Sequence, residues 1–521
     1  MSGTNPPQAR CLLVEPDVGY NAPEVQMNRL WLWLAVLALG ALTAACAPWP
    51  DLYSASKPTP DSLEVYRPSL QAWAQPQLEA LGPLPRYAIS AELSPSGDRL
   101  AGRMSVVVPN TSQVPWPDLV FRLYPAMPHY GSAISMTQVT LNGRPVTAEP
   151  VAGSSGSAVR LVLPDPLAPH GEAAVAMDFS VDLPQGSGGY TLFGWEDGIL
   201  SLPGFYPTLA VRDEAMGAGR WATDVPPLFA DVLFNSVALY DLEFTAPARL
   251  TVAASGATLQ TTERDGERTW HIAGGPLRDL TILASDRWAS ASDKAAGATI
   301  TSYYPAGDQA AGQAALFHAA AALRLFSDLY GRYPYAEFKV VAAPLGRRGM
   351  EYSGLVAIGE DLYGSQRDQL PFLAAHETGH QWWYAQVGND PLADAWLDEG
   401  PTEYAAFDYY RGVYGQAAAE TLLSGRWQTP YAFAAARGID GPVGQPASAL
   451  AADNYELLVY AKAALFFNAL RQRLGDKVYM EVMRTYVETY RWQIVTPQHF
   501  FGLAQTVSGA NLNPLAEEWL H

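Results

Sequence analysis

The sequence predicts a multidomain protein, an N-terminal all-β domain followed by an α+β domain. Two patterns and one size argument carry this. Between residues 85 and 298, short apolar and β-branched runs alternate with Gly, Pro, Asn and Asp, the signature of half-buried strands joined by turns. From residue 299 onward the stretch DQAAGQAALFHAAAALRLFSDLYG interrupts the strands and helical patterning takes over, which marks a change of class. With 521 residues, 49% of them hydrophobic and 16% charged, the chain is long enough to build more than one core.

The elements follow in chain order. Residues 27–46, MNRLWLWLAVLALGALTAAC, place Arg29 before an apolar run and small residues before a cysteine. That is the order of a secretory leader. Its last five letters resemble the bacterial lipobox, with Thr43 where that pattern usually has Leu, so lipidation of Cys46 is expected. Residues 1–46 are therefore read as a lipoprotein-type leader, with 1–26 an over-long start and Met27 the natural opening. An uncleaved N-terminal anchor remains the alternative, because residues 30–49 come close to the roughly 20 residues that a span needs. Either way the body is expected outside the cytoplasm, tethered to a membrane. Residues 47–84 are rich in Pro and polar residues and read as a spacer.

In the β domain, 85–298, the runs RMSVVV, LVFRLYP, AVRLVLP, AAVAMDFSVDLP, YDLEFTAP, RLTVAA and RTWHIAG are the expected strands. LNGRPV, at 141–146, holds the Asn-Gly pair of a tight hairpin. In the second domain, 299–521, the strand ITSYYPA precedes the Ala-rich helix, and the strands FKVVAAPL and GLVAIGEDLY precede mostly helices. VTPQHFFGLAQTVSG has Thr496 to cap a helix, Pro497 in its first turn and Gly509 to stop it.

Composition removes some function classes. A net charge of −19 leaves no clustered Lys and Arg for a phosphate backbone, so no nucleic-acid partner is expected. The only cysteines are Cys11 and Cys46, so the body has neither a disulfide framework nor a thiol nucleophile.

The chemistry centres on AAHETGHQWW, 374–383. A helix is expected from Asp368 to Val387, stopped by Gly388-Asn389. On it His376 and His380 are one turn apart and share a face. Glu377 stands beside them. This is HExxH, two zinc ligands with a carboxylate base. A zinc catalyst needs a third protein ligand and one open position. Glu399 follows His380 with eighteen residues between them, in ADAWLDEGPTEY, enough chain to end one helix, make a loop and start another.

HETGH, eighteen residues, then WLDEG resembles the zinc aminopeptidases of the gluzincins, the aminopeptidase N and leukotriene hydrolase family, whose usual text is WLNEG. Two further motifs match in order. RRGMEYSG supplies Gly349, Met350 and Glu351 of an exopeptidase motif, with Tyr352 where the family often has Asn; NYELLVYAKAALFF supplies Tyr460 and Lys462, with Ala463 in place of Gly. The resemblance spans about residues 85–521 and implies a saddle-like β domain before a thermolysin-like catalytic domain. It also implies one Zn2+ per chain held by His376, His380 and Glu399, Glu377 as general base, and Tyr460 as hydrogen-bond donor to the transition state. Gly349, Met350 and Glu351 would bind the substrate, the Glu351 carboxylate holding the free α-amino group of a peptide. Glu403 is read as either a support for a ligand or an exposed helix carboxylate, and Arg347 and Arg348 as a solvated loop. The family's second amine anchor, from its β domain, has no evident counterpart in LPGFYPTLAVRDEA. Because the chain stops at AEEWLH, no long C-terminal helical domain is expected. The expected function is a membrane-tethered zinc aminopeptidase. The alternatives are an endopeptidase with an open cleft and a surface binding lipoprotein that has lost activity.

Overall fold

The computed structural model describes residues 59–60, 62–186, 192–213, 219–345 and 348–520. The leader, Cys11, Cys46 and the start of the spacer lie outside them. Among the described residues no helix is long and apolar enough to cross a membrane.

The stretch 62–84 belongs to the body and is not a spacer. Tyr66, Leu70, Ala74 and Leu78 are all buried, and their four-residue spacing was the sequence signal of an apolar face. Backbone bonds fix the segment to the far half of the chain, Gln71 N to Pro334 O at 2.8 Å and Ala336 N to Ser69 O at 2.9 Å.

The expected strands form. An eight-stranded sheet runs in the order Ala257–Arg264, Glu267–Leu277, Ala238–Pro247, Arg86–Leu93, Arg99–Pro109, Glu172–Asp182, Ile134–Leu141, Arg144–Pro145. Arg86–Leu93 and Ala238–Pro247 pair in parallel, with Ala88 opposite Asp241; the other pairs are antiparallel. Asn142 and Gly143 turn the last hairpin at φ 49° and 76°, the left-handed pair that such a turn requires. Two four-stranded sheets and one two-stranded sheet join it among the described residues. Tyr87 and Tyr240, on adjacent strands of the eight-stranded sheet, pack ring on ring with Tyr206, centroids 5.1 to 5.8 Å apart.

A five-stranded mixed sheet follows, ordered Trp288–Ala295, Ala298–Pro305, Glu337–Ala343, Leu355–Gly359, Gly349–Tyr352. Trp288–Ala295 lies before the expected boundary at 298 yet hairpins into this sheet, Ala295 opposite Ala298. Composition does not distinguish it from the strands before it. Helix Gln309–Tyr330 is the crossover that returns the chain to a parallel neighbour.

The expectation of no long C-terminal helical domain is not supported. From Leu370 to Trp519 the chain is mainly helical, ending in Pro497–Ser508 and Asn513–Trp519, and residues such as Phe466, Tyr486 and Phe500 join the same continuous core as the sheets. Thr496 caps Pro497–Ser508, and Gly509, in the left-handed conformation at φ 66°, ends it.

The motif helix is shorter than expected. It spans Leu370–Gly379, and His380 is its C-cap. Tertiary bonds override the helical pattern beyond it: Gln381 reaches a neighbouring hairpin, donating to Tyr352 O at 2.9 Å and accepting from Gly354 N at 2.9 Å. Tyr384 sits at φ 127°, a strained value for a bulky residue, while its hydroxyl bonds Asp279 at 3.0 Å. Arg278, 3% exposed, donates to the carbonyls of Tyr384 (2.6 Å), Asn235 (3.1 Å) and Gln493 (3.2 Å). This buried pair joins the β half to the loop behind the two histidines.

Candidate functional site

The HExxH helix brings His376 and His380 onto one face, with Nε2 atoms 3.2 Å apart. Helix Trp396–Tyr414 presents Glu399 from its first turn. Glu399 Oε2 lies 3.4 Å from His376 Nε2 and 3.5 Å from His380 Nε2. Four ligands at 2.0–2.1 Å around a tetrahedral ion stand about 3.3 Å from one another. The three donor separations match that spacing. Glu399 Oε2 is moreover buried and accepts no hydrogen bond from the protein, a costly arrangement unless a cation meets it. Two imidazoles and a carboxylate are a zinc-type donor set.

Each candidate ligand has a polar neighbour. His380 Nδ1 bonds Trp383 O at 2.9 Å, which holds the proton on that nitrogen and leaves Nε2 for an ion. Glu403, read as either support or surface carboxylate, is 1% exposed and approaches His376 Nδ1 to 3.6 Å. Glu399 Oε1 accepts from the Tyr460 hydroxyl at 2.8 Å. Tyr460 stands on a π-helical turn, Glu456–Lys462, a widened turn often found at functional sites.

Glu377 is 3% exposed, and its Oε2 has no partner in the protein. Burial pushes its carboxyl up to about 7, against the pull of His376 and His380. Glu399 goes the opposite way: burial works against its charge, but His380 and His376 hold it well below the ordinary carboxylate range. Opposed shifts on neighbouring carboxylates separate a proton acceptor from a permanent anion.

Gly349, Met350 and Glu351 lie within the sheet's edge strand, Gly349–Tyr352. A Cβ on Gly349 would fall 2.0 Å from Glu377 Oε1, so only glycine lets this strand pass the carboxylate. Glu351, 8% exposed, can share a cation with Glu377 and His380, and burial raises its carboxyl well above the usual range. Arg348 is exposed, and Arg347 lies outside the described residues.

One acid was missed. Asp231 lines a small cavity together with Glu351, Tyr384 and Asp398. Burial pushes it up to about 7, with Glu399 and Glu377 adding to the rise and the two imidazoles opposing it. Its only sequence signal was an acid inside the apolar run PLFADVLF. Asp231 and Glu351 together make one end of the cleft acidic.

Residues 315–519 match the peptidase family M1 domain. Among curated proteins the chain is similar to aminopeptidase M1-B of Oryza sativa subsp. japonica, 23% identical over 373 residues, 67% of this chain and 41% of that protein. Glutamyl aminopeptidase of Rattus norvegicus is 23% identical over 353 residues, 63% of this chain and 36% of that one. The chain thus spans about two fifths of the length of these relatives. The likeness to solved structures is more extensive. A crystal structure of an M1 zinc metallopeptidase mutant from Deinococcus radiodurans superposes with a TM-score of 0.61 at 22% identity, covering 84% of this chain and 93% of that one. A second, bound to a Tyr-Ser-Ala substrate, gives 0.60 at 20% with the same coverage. All three candidate ligands and Glu377 fall inside the matched residues, while Asp231 comes from the β half.

Proposed function

We propose that this protein is a zinc peptidase of the aminopeptidase type, removing N-terminal residues from peptides. The observation that carries the reading is the convergence of His376, His380 and Glu399 at tetrahedral spacing near two acids that line one small cavity, buried Glu351 and half-buried Asp231. These three donors would hold a zinc ion, as in the M1 zinc metallopeptidases that the fold resembles. When bound, zinc polarises the scissile carbonyl and makes water acidic enough to attack at neutral pH.

The chain's own residues supply the rest. Glu377, with a free buried oxygen and a raised affinity for protons, takes the proton from the attacking water and returns it to the leaving amine. Tyr460 turns its hydroxyl from Glu399 toward the carbonyl oxygen as charge develops there. Glu351 and Asp231 bind the substrate's α-ammonium, which fixes the cut one residue from the N-terminus. Buried carboxylates without their own cation favour such a guest, because its charge offsets their mutual repulsion. The free edge of strand Gly349–Tyr352 offers backbone groups to an extended peptide. The leader-like text of residues 27–46 supports an extracytoplasmic, membrane-tethered protein.

Purified protein should be assayed on an aminoacyl fluorophore, its N-acetylated form and a mapped peptide library, with and without chelation. Stepwise trimming of free N-termini that stops on chelation is expected. Internal cuts would favour an endopeptidase, and bound zinc without turnover would favour a binding protein.

A further inference from the structure

Behind His376 lies a carboxylate with three donors of its own. Arg426 Nη2 donates to Glu403 Oε1 at 2.9 Å, Arg426 Nε to Oε2 at 3.1 Å, and Trp427 Nε1 to Oε2 at 2.6 Å. Neither donor sits on the helices that carry the candidate ligands. Both belong to a π-helical turn, Leu423–Gln428, inside a segment that is otherwise largely exposed. Adjacent residues of an α-helix diverge by about 100°, yet these two end on one carboxylate.

The same guanidinium acts on the imidazole by a second route. Its carbon lies 3.7 Å from the Phe372 ring centre, and the Phe372 ring stacks on His376 with centroids 6.0 Å apart. Arg426 thus stands behind two of the groups beside His376, the carboxylate 3.6 Å from Nδ1 and the Phe372 ring on its face.

We infer that Arg426 and Trp427 are positioning residues for His376: they hold the Glu403 carboxylate opposite Nδ1, so that the proton stays on that nitrogen and Nε2 is aimed at the metal. The inference rests on the zinc reading above. Without the bidentate fork and the indole, Glu403 is a buried anion with no hydrogen-bonded cation, free to turn from the imidazole. His376 then loses both its tautomer preference and its orientation.

The test is zinc affinity by chelator competition on the full-length protein, with the visible spectrum of its cobalt(II) form and the melting temperature of the metal-free form. Arg426→Gln should weaken zinc binding about 10- to 100-fold and shift the cobalt bands, with the metal-free melting temperature close to wild type. Arg426→Lys, which keeps the charge but not the fork, should recover part of the affinity, and Trp427→Phe should fall between. Unchanged affinity and spectra in Arg426→Gln and Trp427→Phe, in a background where the wild type binds one zinc, would overturn the inference. So would affinity losses matched by equal losses of metal-free stability, since Arg426 would then be a packing residue. A wild type that binds no zinc refutes the zinc reading itself, and the inference with it.

Discussion

The Tyr460 hydroxyl donates a 2.8 Å hydrogen bond to Oε1 of Glu399, the carboxylate whose other oxygen faces both imidazoles at 3.4 and 3.5 Å. The phenol is therefore bonded to the carboxylate that faces the metal position. If it serves the developing oxyanion, Tyr460→Phe should lower kcat about 10²- to 10³-fold with little change in KM. Steady-state kinetics on zinc-loaded enzyme check this. Normal kcat with weakened zinc binding would instead assign Tyr460 to Glu399 alone.

Glu377→Gln keeps the shape of the side chain and removes its basicity. Zinc content should be unchanged and turnover should fall about 10²- to 10⁴-fold. Metal analysis and kinetics on one sample test the assignment, and substantial activity in a fully loaded variant would refute it.

Glu351→Ala and Asp231→Asn should each cut kcat/KM for free peptides while leaving acetylated ones nearly unaffected. A hydrogen bond to a charged group is worth about 1.5–3 kcal/mol, so a loss of roughly 10- to 150-fold is expected for each. A wild type that cleaves both substrate forms equally well would rule the anchors out.

Gly349→Ala should damage catalysis without touching a ligand. The new methyl would sit 2.0 Å from Glu377 Oε1 and 2.6 Å from its Cγ, so the carboxylate must move. Turnover should fall at least tenfold with zinc retained, and unchanged kcat would show that the strand yields instead.

His318 gives a pH dependence away from the metal site. On helix Gln309–Tyr330 its Nδ1 lies 2.7 Å from the Tyr409 hydroxyl, and burial pushes its pKa down to about 4 from 6.5. Between those values the unfolded chain binds the proton more readily, so stability should drop as pH falls from 6.5 toward 4. His318→Gln should flatten that part of the melting-temperature profile. An identical slope in the variant would exclude His318 as its source.

The ligands were legible because a helix forces residues four apart onto one face and because a carboxylate followed at a workable distance. Glu351 was legible by family resemblance, though not its place inside an edge strand. Asp231 was not, since an acid inside the apolar run PLFADVLF does not say what it will meet. Its role depends on a loop of the β half arriving beside Glu351, a contact made 120 residues away in sequence. Arg426 and Trp427 were equally silent, because a π-turn leaves no mark on periodicity.

By itself the sequence determined what local geometry dictates: the strand and helix classes, the Asn142-Gly143 hairpin, the cap at Thr496, and two imidazoles one turn apart. Tertiary structure alone decided where the motif helix stops, that 62–84 joins the body, and which acids meet at the cleft. Periodicity and capping act over a few neighbours. Convergence of buried charges depends on which distant segments share one desolvated space, and the local pattern of letters does not carry that information.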